Sequence, residues 1–287
     1  MPTALTTTPT VGVPITPPDQ AGLVIGPLQR DSLALRTATV IATRRDEVRV
    51  PLLTDDVPAD FVEEGAELPE GQPFVAEVAL RPAKLAALTV LSNELASDSE
   101  PGAVNLVGES IARSIRARLD SAFLDAPGTG IPPAGVLTSA NSTDGGTLGV
   151  DTGSLDTLQD ALTLVEAAGG TPNVIVCHPS TWGVLAKLKA GDGSAVPLLG
   201  SPSDGRQERT VFGVPVFVDA QVPEDIIGVW DRAAVAVALR QDVSIEQSRD
   251  AYFSSDSVAV RATLRAAWDV LDPERVVRIA VGTPVAP

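Results

Sequence analysis

From Val104 onward, Val104, Val107, Ile111, Ile115, Leu119 and the pair Ala122-Phe123 recur at steps of three and four residues. That period places them on one stripe of an α-helix. Arg113, Arg116 and Arg118 fall off the stripe. Proline is tolerated only in a helix's first turn, so Pro101 sets the start just before itself, near Ser99, and Pro127-Gly128 ends the run. About 25 residues at 1.5 Å each make a rod of roughly 37 Å. This is long for a helix in a domain of this size, although an ordinary core helix meets the same periodicity.

The 287 residues can bury about three quarters of their unfolded surface, in one compact body or two closely packed ones. Aromatics are 3% of the chain, so the core must be built from Val, Leu, Ile and Ala. Thr and Pro dominate the first eighteen residues, and residues 1 to about 35 read as an arm, either a loose terminus or one that orders against neighbours. Thr39–Ala42, Val48–Leu52, Val75–Leu80 and Leu85–Leu91 are strand-like, and 38–90 reads as one long β-hairpin. Between Asp46 and Pro73 there are nine acidic residues and one basic residue, Arg49. Such a run is usually a solvated face, but a loop this long with so little apolar content is poorly explained inside one compact domain.

A second body runs from about Gly135 to Ser248. Leu155, Leu158, Leu162 and Val165 predict a helix stopped by Gly169-Gly170. Asn173–Cys177 is a short buried strand, His178 to Thr181 opens a helix over 182–189, and 210–218 and 226–230 are strands. This order suits a mixed α/β or α+β layer. From Val258 to Val270 every second residue is apolar (Val258, Val260, Ala262, Leu264, Ala266, Trp268, Val270), with Arg261, Thr263, Arg265 and Asp269 on the other side. Period two over this length is a half-buried strand. Pro273 breaks it, and Val276–Val281 resumes.

Charge and composition exclude several classes. A net charge of −16 argues against a nucleic-acid-binding surface, because affinity for DNA comes mostly from Lys and Arg on phosphates. One cysteine, Cys177, allows no intrachain disulfide and is compatible with a reducing cytoplasm. The N-terminus lacks the basic and apolar regions of a secretory signal, and no apolar run approaches the roughly 20 residues that span a bilayer. Cys177 and His178 are adjacent on a strand, so their side chains point to opposite faces and make no dyad. A buried Cys and a helix-entry His are the better readings. One His and one Cys cannot make a structural zinc site, and Gly128-Thr129-Gly130 lacks the Lys-Ser/Thr of a phosphate loop. No catalytic, cofactor-binding or metal-binding residues are assigned.

The phrase FLDAPGTGIPPAGVL, Phe123 to Leu137, with the helix before it, resembles the long helix and following turn of tailed-phage major capsid proteins of the Hong Kong 97 type. VIVCHPSTWGVLAKLKAGDG, then TVFGVPVFVDAQVP, also resembles that family. The resemblance covers about Thr39 to Val281, strongest at 91–137, 173–218 and 245–281. It implies an α+β Hong Kong 97-like fold: an N-terminal arm (1–37), an extended loop (38–90), a peripheral domain with its spine helix (91–134 and 256–287) and an axial domain (135–255). In that arrangement the long charged strand and the short apolar one after it pair in the peripheral sheet. The implied function is a non-enzymatic shell subunit of the virion, assembled in the bacterial cytoplasm. Its hexamers and pentamers close an icosahedral capsid around double-stranded DNA, bound without sequence specificity and with no membrane or cofactor.

The partners so implied are the chain itself, a separate scaffolding protein, a portal and, as a further candidate, a decoration protein. Only about forty residues precede the hairpin, too few for the long scaffolding segment some relatives carry. Other relatives crosslink subunits through a Lys in the extended loop, an Asn and a Glu. There is no Lys between Arg45 and Lys84 and no Asn after Asn173, and Asp256 and Thr263 stand where the family's Asn and Glu would fall, so no crosslinking is expected. The intersubunit contact expected here sets Glu63, Glu64, Glu67 and Glu70 of the extended loop against a neighbour's Arg113, Arg116 and Arg118. The rival readings are an encapsulin-type shell, which encloses protein cargo, and a soluble α/β hydrolase. The Thr/Pro-rich arm lacks an encapsulin's N-terminal helix, and the single His leaves a hydrolase little to work with.

Overall fold

The computed structural model describes residues 31–55, 59, 61–62, 74–92, 102–149, 154–189, 196–199, 209–248, 250 and 252–282. A helical turn α1 (Leu33–Thr37) leads into strands β1 (Thr39–Thr43), β2 (Val48–Asp55), β3 (Phe74–Leu80) and β4 (Ala83–Ser92). The long helix α2 (Gly102–Asp125) follows, then β5 (Thr143–Leu148), α3 (Asp156–Ala167), β6 (Val174–Cys177) and α4 (Pro179–Leu185). The chain continues through β7 (Thr210–Val211), β8 (Val214–Val218), β9 (Ile226–Trp230), β10 (Val235–Ser248), β11 (Ser257–Val270) and β12 (Val276–Val281).

The strands form a four-stranded sheet in the order β1-β10-β11-β4, a six-stranded sheet in the order β5-β12-β9-β6-β8-β7, and the two-stranded hairpin β2-β3. The expected apolar stripe of α2 lies on the four-stranded sheet. Ile111, Ile115, Leu119, Ala122 and Phe123 share a core with Val235, Val237 and Leu239 of β10 and Val260, Ala262, Leu264, Ala266, Trp268 and Val270 of β11. Val107 packs at its margin, and the Val104 side chain lies outside the described residues. Phe123 meets Trp268 edge to face at 6.1 Å. At 24 residues, α2 is about 36 Å long; the expected start near Ser99 lies outside the described residues.

The six-stranded sheet serves two cores, because alternate strand residues point to opposite faces. Val174 and Val176 of β6 join the core under α2, while Ile175 and Cys177 join a second core with Leu158, Ala161, Leu162 and Val165 of α3. All four β6 residues are therefore buried. The helix α3 ends as its sequence predicts: Gly169 takes φ +75°, and the Gly170 N–H donates to Val165 O at 3.0 Å.

Four differences from the sequence reading have physical causes. The hairpin is narrower than 38–90, since only β2 and β3 pair with each other. β1 runs parallel to β10, and β4 antiparallel to β11. β12 does not pair with β11: it lies between β5 and β9 in the six-stranded sheet, where Val276, Val277 and Ile279 are buried. A strand apolar on both faces fits only a sheet covered on both sides. β10 falls within 135–255 but belongs to the four-stranded sheet. Finally, α4 starts at Pro179 rather than Trp182 and ends at Leu185, because His178 caps it and fixes the first turn.

Candidate intersubunit surfaces

The turn after α2 is built as a clasp. The last carbonyls of a helix have no partner within it. Here the returning chain supplies donors: Gly135 N–H to Ala126 O (2.8 Å), Val136 N–H to Phe123 O (2.8 Å) and Leu137 N–H to Leu124 O (2.9 Å). The approach is so close that a Cβ on Gly135 would lie 2.5 Å from Asp125 N and Leu124 O. Trp268 Nε1 donates to Ala134 O at 2.9 Å, tying the clasp to β11. This accounts for the phrase FLDAPGTGIPPAGVL as structure rather than chemistry.

A second tie holds α1 to α2. Asp120 is fully buried on α2. Its Oδ1 accepts from Ser32 Oγ (2.6 Å) and from Ala34 N–H (3.0 Å), so it caps α1 from another element. Burial pushes its pKa above the usual carboxylate range, against the opposing pull of those donors. Trp230 Nε1 donates to Thr37 O (2.8 Å) at the other end of α1.

The hairpin projects from this body. Leu80, Val48, Val50 and Val78 at its base pack with Ala236, Ala238 and Ala267 on the outer face of the four-stranded sheet. Farther out, Leu53 (58% exposed) pairs with Val75 (57%), and Phe74 (69%) pairs with Asp55. Ion pairs ring the base: Glu47 meets Arg49 (3.0 Å) and Arg81 (3.2 Å), and Arg49 meets Glu77 (3.3 Å). Asp46 meets Arg240, and Arg265 at 3.7 Å. A groove of about 530 Å³ beside them is lined by Ile41, Ala42, Thr43, Arg45, Glu47, Val48 and Arg49.

Of the contact residues expected from the sequence, Glu63, Glu64, Glu67 and Glu70 lie outside the described residues. The three arginines are described and do not form one patch. Arg113 is exposed beside Glu109 (3.7 Å). Arg116 is engaged within the chain, donating to Asp31 O (3.4 Å) and lying 3.9 Å from Asp120 and 3.6 Å from Asp219. Arg118 is exposed, about 200° round the helix from Arg116.

The residues that invite catalytic readings are placed structurally. Cys177 is buried, and burial pushes its thiol up to about 12, so it supplies no thiolate near neutral pH. His178 Nδ1 accepts from Ser180 N–H at 3.2 Å, the helix-entry role expected. Asp231 was not singled out in the sequence; it accepts from Thr171 N–H, Asn173 Nδ2 and Ala233 N–H at 3.0 to 3.1 Å. Burial alone would raise its pKa, but those donors and Arg275 hold it below the usual range. It joins β9 to the turn before β10.

The sequence profile described as "Phage capsid family" matches residues 12–281. A capsid polyprotein of Pseudomonas phage PAJU2 is 26% identical over 214 residues, covering 72% of this chain and 31% of that one. The chain thus spans about a third of the length of that relative. Among solved structures, the capsid of a native GTA particle superposes with a TM-score of 0.71 at 20% identity, covering 98% of this chain and 96% of the other. A chain of Microbacterium phage Oxtober96 gives the same score, identity and coverage. One of Mycobacterium phage Bobi gives 0.69 at 17% identity, covering 88% and 91%. These likenesses carry the fold, which is of the Hong Kong 97-like α+β type. With a family profile spanning nearly its whole length, the chain belongs to the phage capsid family: it is a structural protein of the virion shell and not an enzyme.

Proposed function

We propose that this chain is the major capsid protein of a tailed phage, and that it assembles into hexamers and pentamers closing an icosahedral shell around double-stranded DNA. The observation that carries this reading is the projecting hairpin. An isolated two-stranded hairpin is marginal in water, yet β2-β3 exposes Leu53, Phe74 and Val75 beyond a short packed base. A neighbouring subunit supplies the missing cover. Each such contact is weak, and closure multiplies it into a stable shell. The net charge of −16 suits a container whose wall does not hold DNA.

Residues 1–37 then form the arm, β2-β3 the hairpin of the extended loop, α2 with the four-stranded sheet the peripheral domain, and the six-stranded sheet, β12 included, with α3 and α4 the axial domain. A separate scaffolding protein, a portal and a decoration protein are the proposed partners. The encapsulin and hydrolase readings are not favoured by the family match. Expressing the chain and examining it by size-exclusion chromatography and negative-stain microscopy tests the proposal. Closed shells or rings of five and six support it. A species that stays monomeric, alone and with lysate from infected host, overturns it. Mature particles are expected to run as single chains on denaturing gels, and a ladder of linked subunits would contradict the absence of crosslinking.

A further inference from the structure

On the outer face of the four-stranded sheet, one register line crosses all four strands: Thr43 of β1, Arg240 of β10, Arg265 of β11 and Lys84 of β4. Directly opposed residues share a face with their Cβ atoms about 5 Å apart, and like charges so placed are destabilising. Stability alone gives no reason for Arg265 to stand between Arg240 and Lys84. Asp46, from the turn after β1, answers part of the charge. It meets Arg240 and lies 3.7 Å from Arg265. With Asp46 assigned to Arg240, Arg265 and Lys84 face each other with no further carboxylate among the described residues. The cations around them are matched. Arg261, on the same face of β11, meets Glu246 directly opposite, and Arg49 and Arg81 at the hairpin base meet Glu77 and Glu47. Two positive charges are thus left over at one cross-strand pair of a chain whose net charge is −16.

The pair is open to solvent. The outward residues of β4, Lys84 among them, are exposed, and so is 41% of the Arg265 side chain. The next register pair on this face is Thr263 with Ala86, and the small Ala86 leaves room beside the Lys84 and Arg265 head groups.

We propose that Arg265 and Lys84 form a binding site for a phosphate dianion. The charge decides the ligand class. A phosphate monoester carries about −1.5 to −2 near neutral pH, with three acceptor oxygens, so one group offsets both cations. Chloride or a single carboxylate offsets one. The planar fork of Arg265 takes two oxygens, and the Lys84 ammonium meets the third as a point charge. Free phosphate fits better than DNA, because the net charge of −16 repels the rest of a polyanion. The bound group bridges β11 to the edge strand β4 at the foot of the hairpin, and the site is complete within one chain.

The test is equilibrium dialysis of the full chain against radiolabelled inorganic phosphate at about pH 8, where the dianion predominates, with ionic strength held constant by sodium chloride. Wild type should take up one phosphate per chain, saturably. Lys84→Gln should weaken uptake by about tenfold or more, and Lys84→Arg should keep it. Asp46→Asn should act in the opposite direction and tighten uptake by about threefold to tenfold, because it removes the carboxylate that repels the ligand. Melting temperatures supply a second readout. In chloride alone Lys84→Gln should melt no lower than wild type, since it removes a like-charge opposition. At a phosphate concentration about ten times Kd, wild type should gain about 2–4 °C more than Lys84→Gln does. The general salting effect of phosphate is common to both and cancels.

Absence of saturable uptake by wild type overturns the proposal. So does uptake by Lys84→Gln equal to wild type, or weaker uptake by Asp46→Asn. A lower melting temperature of Lys84→Gln in chloride would make the row a stabilising element and not a site. A DNA duplex bound by wild type, lost in Lys84→Gln and not displaced by inorganic phosphate also overturns the proposal, and marks the face as a nucleic-acid surface.

Discussion

Asp120 is a buried carboxylate whose work lies in another element. It takes the hydroxyl of Ser32 and the N–H of Ala34, and so holds the first described turn, α1, on the long helix. In sequence Asp120 is four residues after Arg116, and that spacing reads as an exposed helix pair, so the role was not legible there. Asp120→Ala strands the buried hydroxyl and N–H, and should cost about 1–3 kcal/mol. Asp120→Asn keeps an acceptor and removes the charge. Burial raises the folded-state pKa, so the folded chain holds this proton more tightly than the unfolded one. The resulting stabilisation is complete below about pH 4, where the unfolded Asp titrates, and is lost as pH rises through the raised value. Melting temperatures taken from pH 4 to 8 should therefore show the Asn variant gaining on wild type as pH rises. A constant difference would show that Asp120 does not titrate in this way. Gly135 makes a sharper demand. Its missing Cβ admits the helix end at 2.5 Å, and the obstruction would be backbone, which cannot rotate away. Gly135→Ala should destabilise by about 3 kcal/mol, at the upper end for overpacking, as read by denaturant unfolding. An unchanged midpoint would mean that the clasp is not rigid.

Among the elements, the two longest periodic ones, α2 and β11, were legible because a dozen or more residues repeat one period against one core. β10 was not. Its first five residues are buried on both faces, Val235, Val237 and Leu239 toward α2 and Ala236 and Ala238 under the hairpin, and a bulge between Arg240 and Ser244 then breaks the register. β5 (TDGGTL) reads as a turn, and becomes a strand only because β12 presents it with a parallel edge. The partner of a short apolar strand such as β12 is a property of tertiary layers and leaves no mark in local sequence. The acidic character of the loop was plain in the sequence, but the row of Arg240, Arg265 and Lys84 was not, because these cations are brought together only by strand register. The hairpin's division into a packed base and an exposed outer half carries a further expectation. Replacing residues 53–75 with Asn-Gly leaves Leu52 opposite Ala76 with a two-residue turn that suits antiparallel strands. Since the removed side chains that are described are exposed, the subunit's stability should change by less than about 0.5 kcal/mol. Assembly should be lost, leaving a folded monomer by sedimentation. A shell formed by the shortened chain would remove the hairpin from the contact.

At the level of the whole molecule, two electrostatic effects oppose each other, and their ranges differ. Each subunit carries a net charge of −16, so copies repel one another at long range. Contacts between neighbouring subunits, by contrast, act at short range, where charged groups meet directly. At about 0.01 M salt the screening length is near 30 Å, and the long-range repulsion reaches across a whole neighbouring domain. At about 0.15 M it falls to roughly 8 Å, which screens the net charges while leaving partly covered pairs in place. At about 1 M it is near 3 Å, and exposed pairs, worth only about 0.2–1 kcal/mol each, lose most of their effect. Assembly followed by light scattering should therefore be slow at the lowest salt, fastest near physiological ionic strength and slower again toward 1 M. The apolar part of the contact does not weaken with sodium chloride in this range, so the decline at high salt isolates the charged part. A rate that rises without a maximum would show that apolar cover carries the contact and that charged pairs do not. A rate that falls from the lowest salt upward would show the reverse, with attraction between charged groups at the interface outweighing the net repulsion of the subunits at every distance.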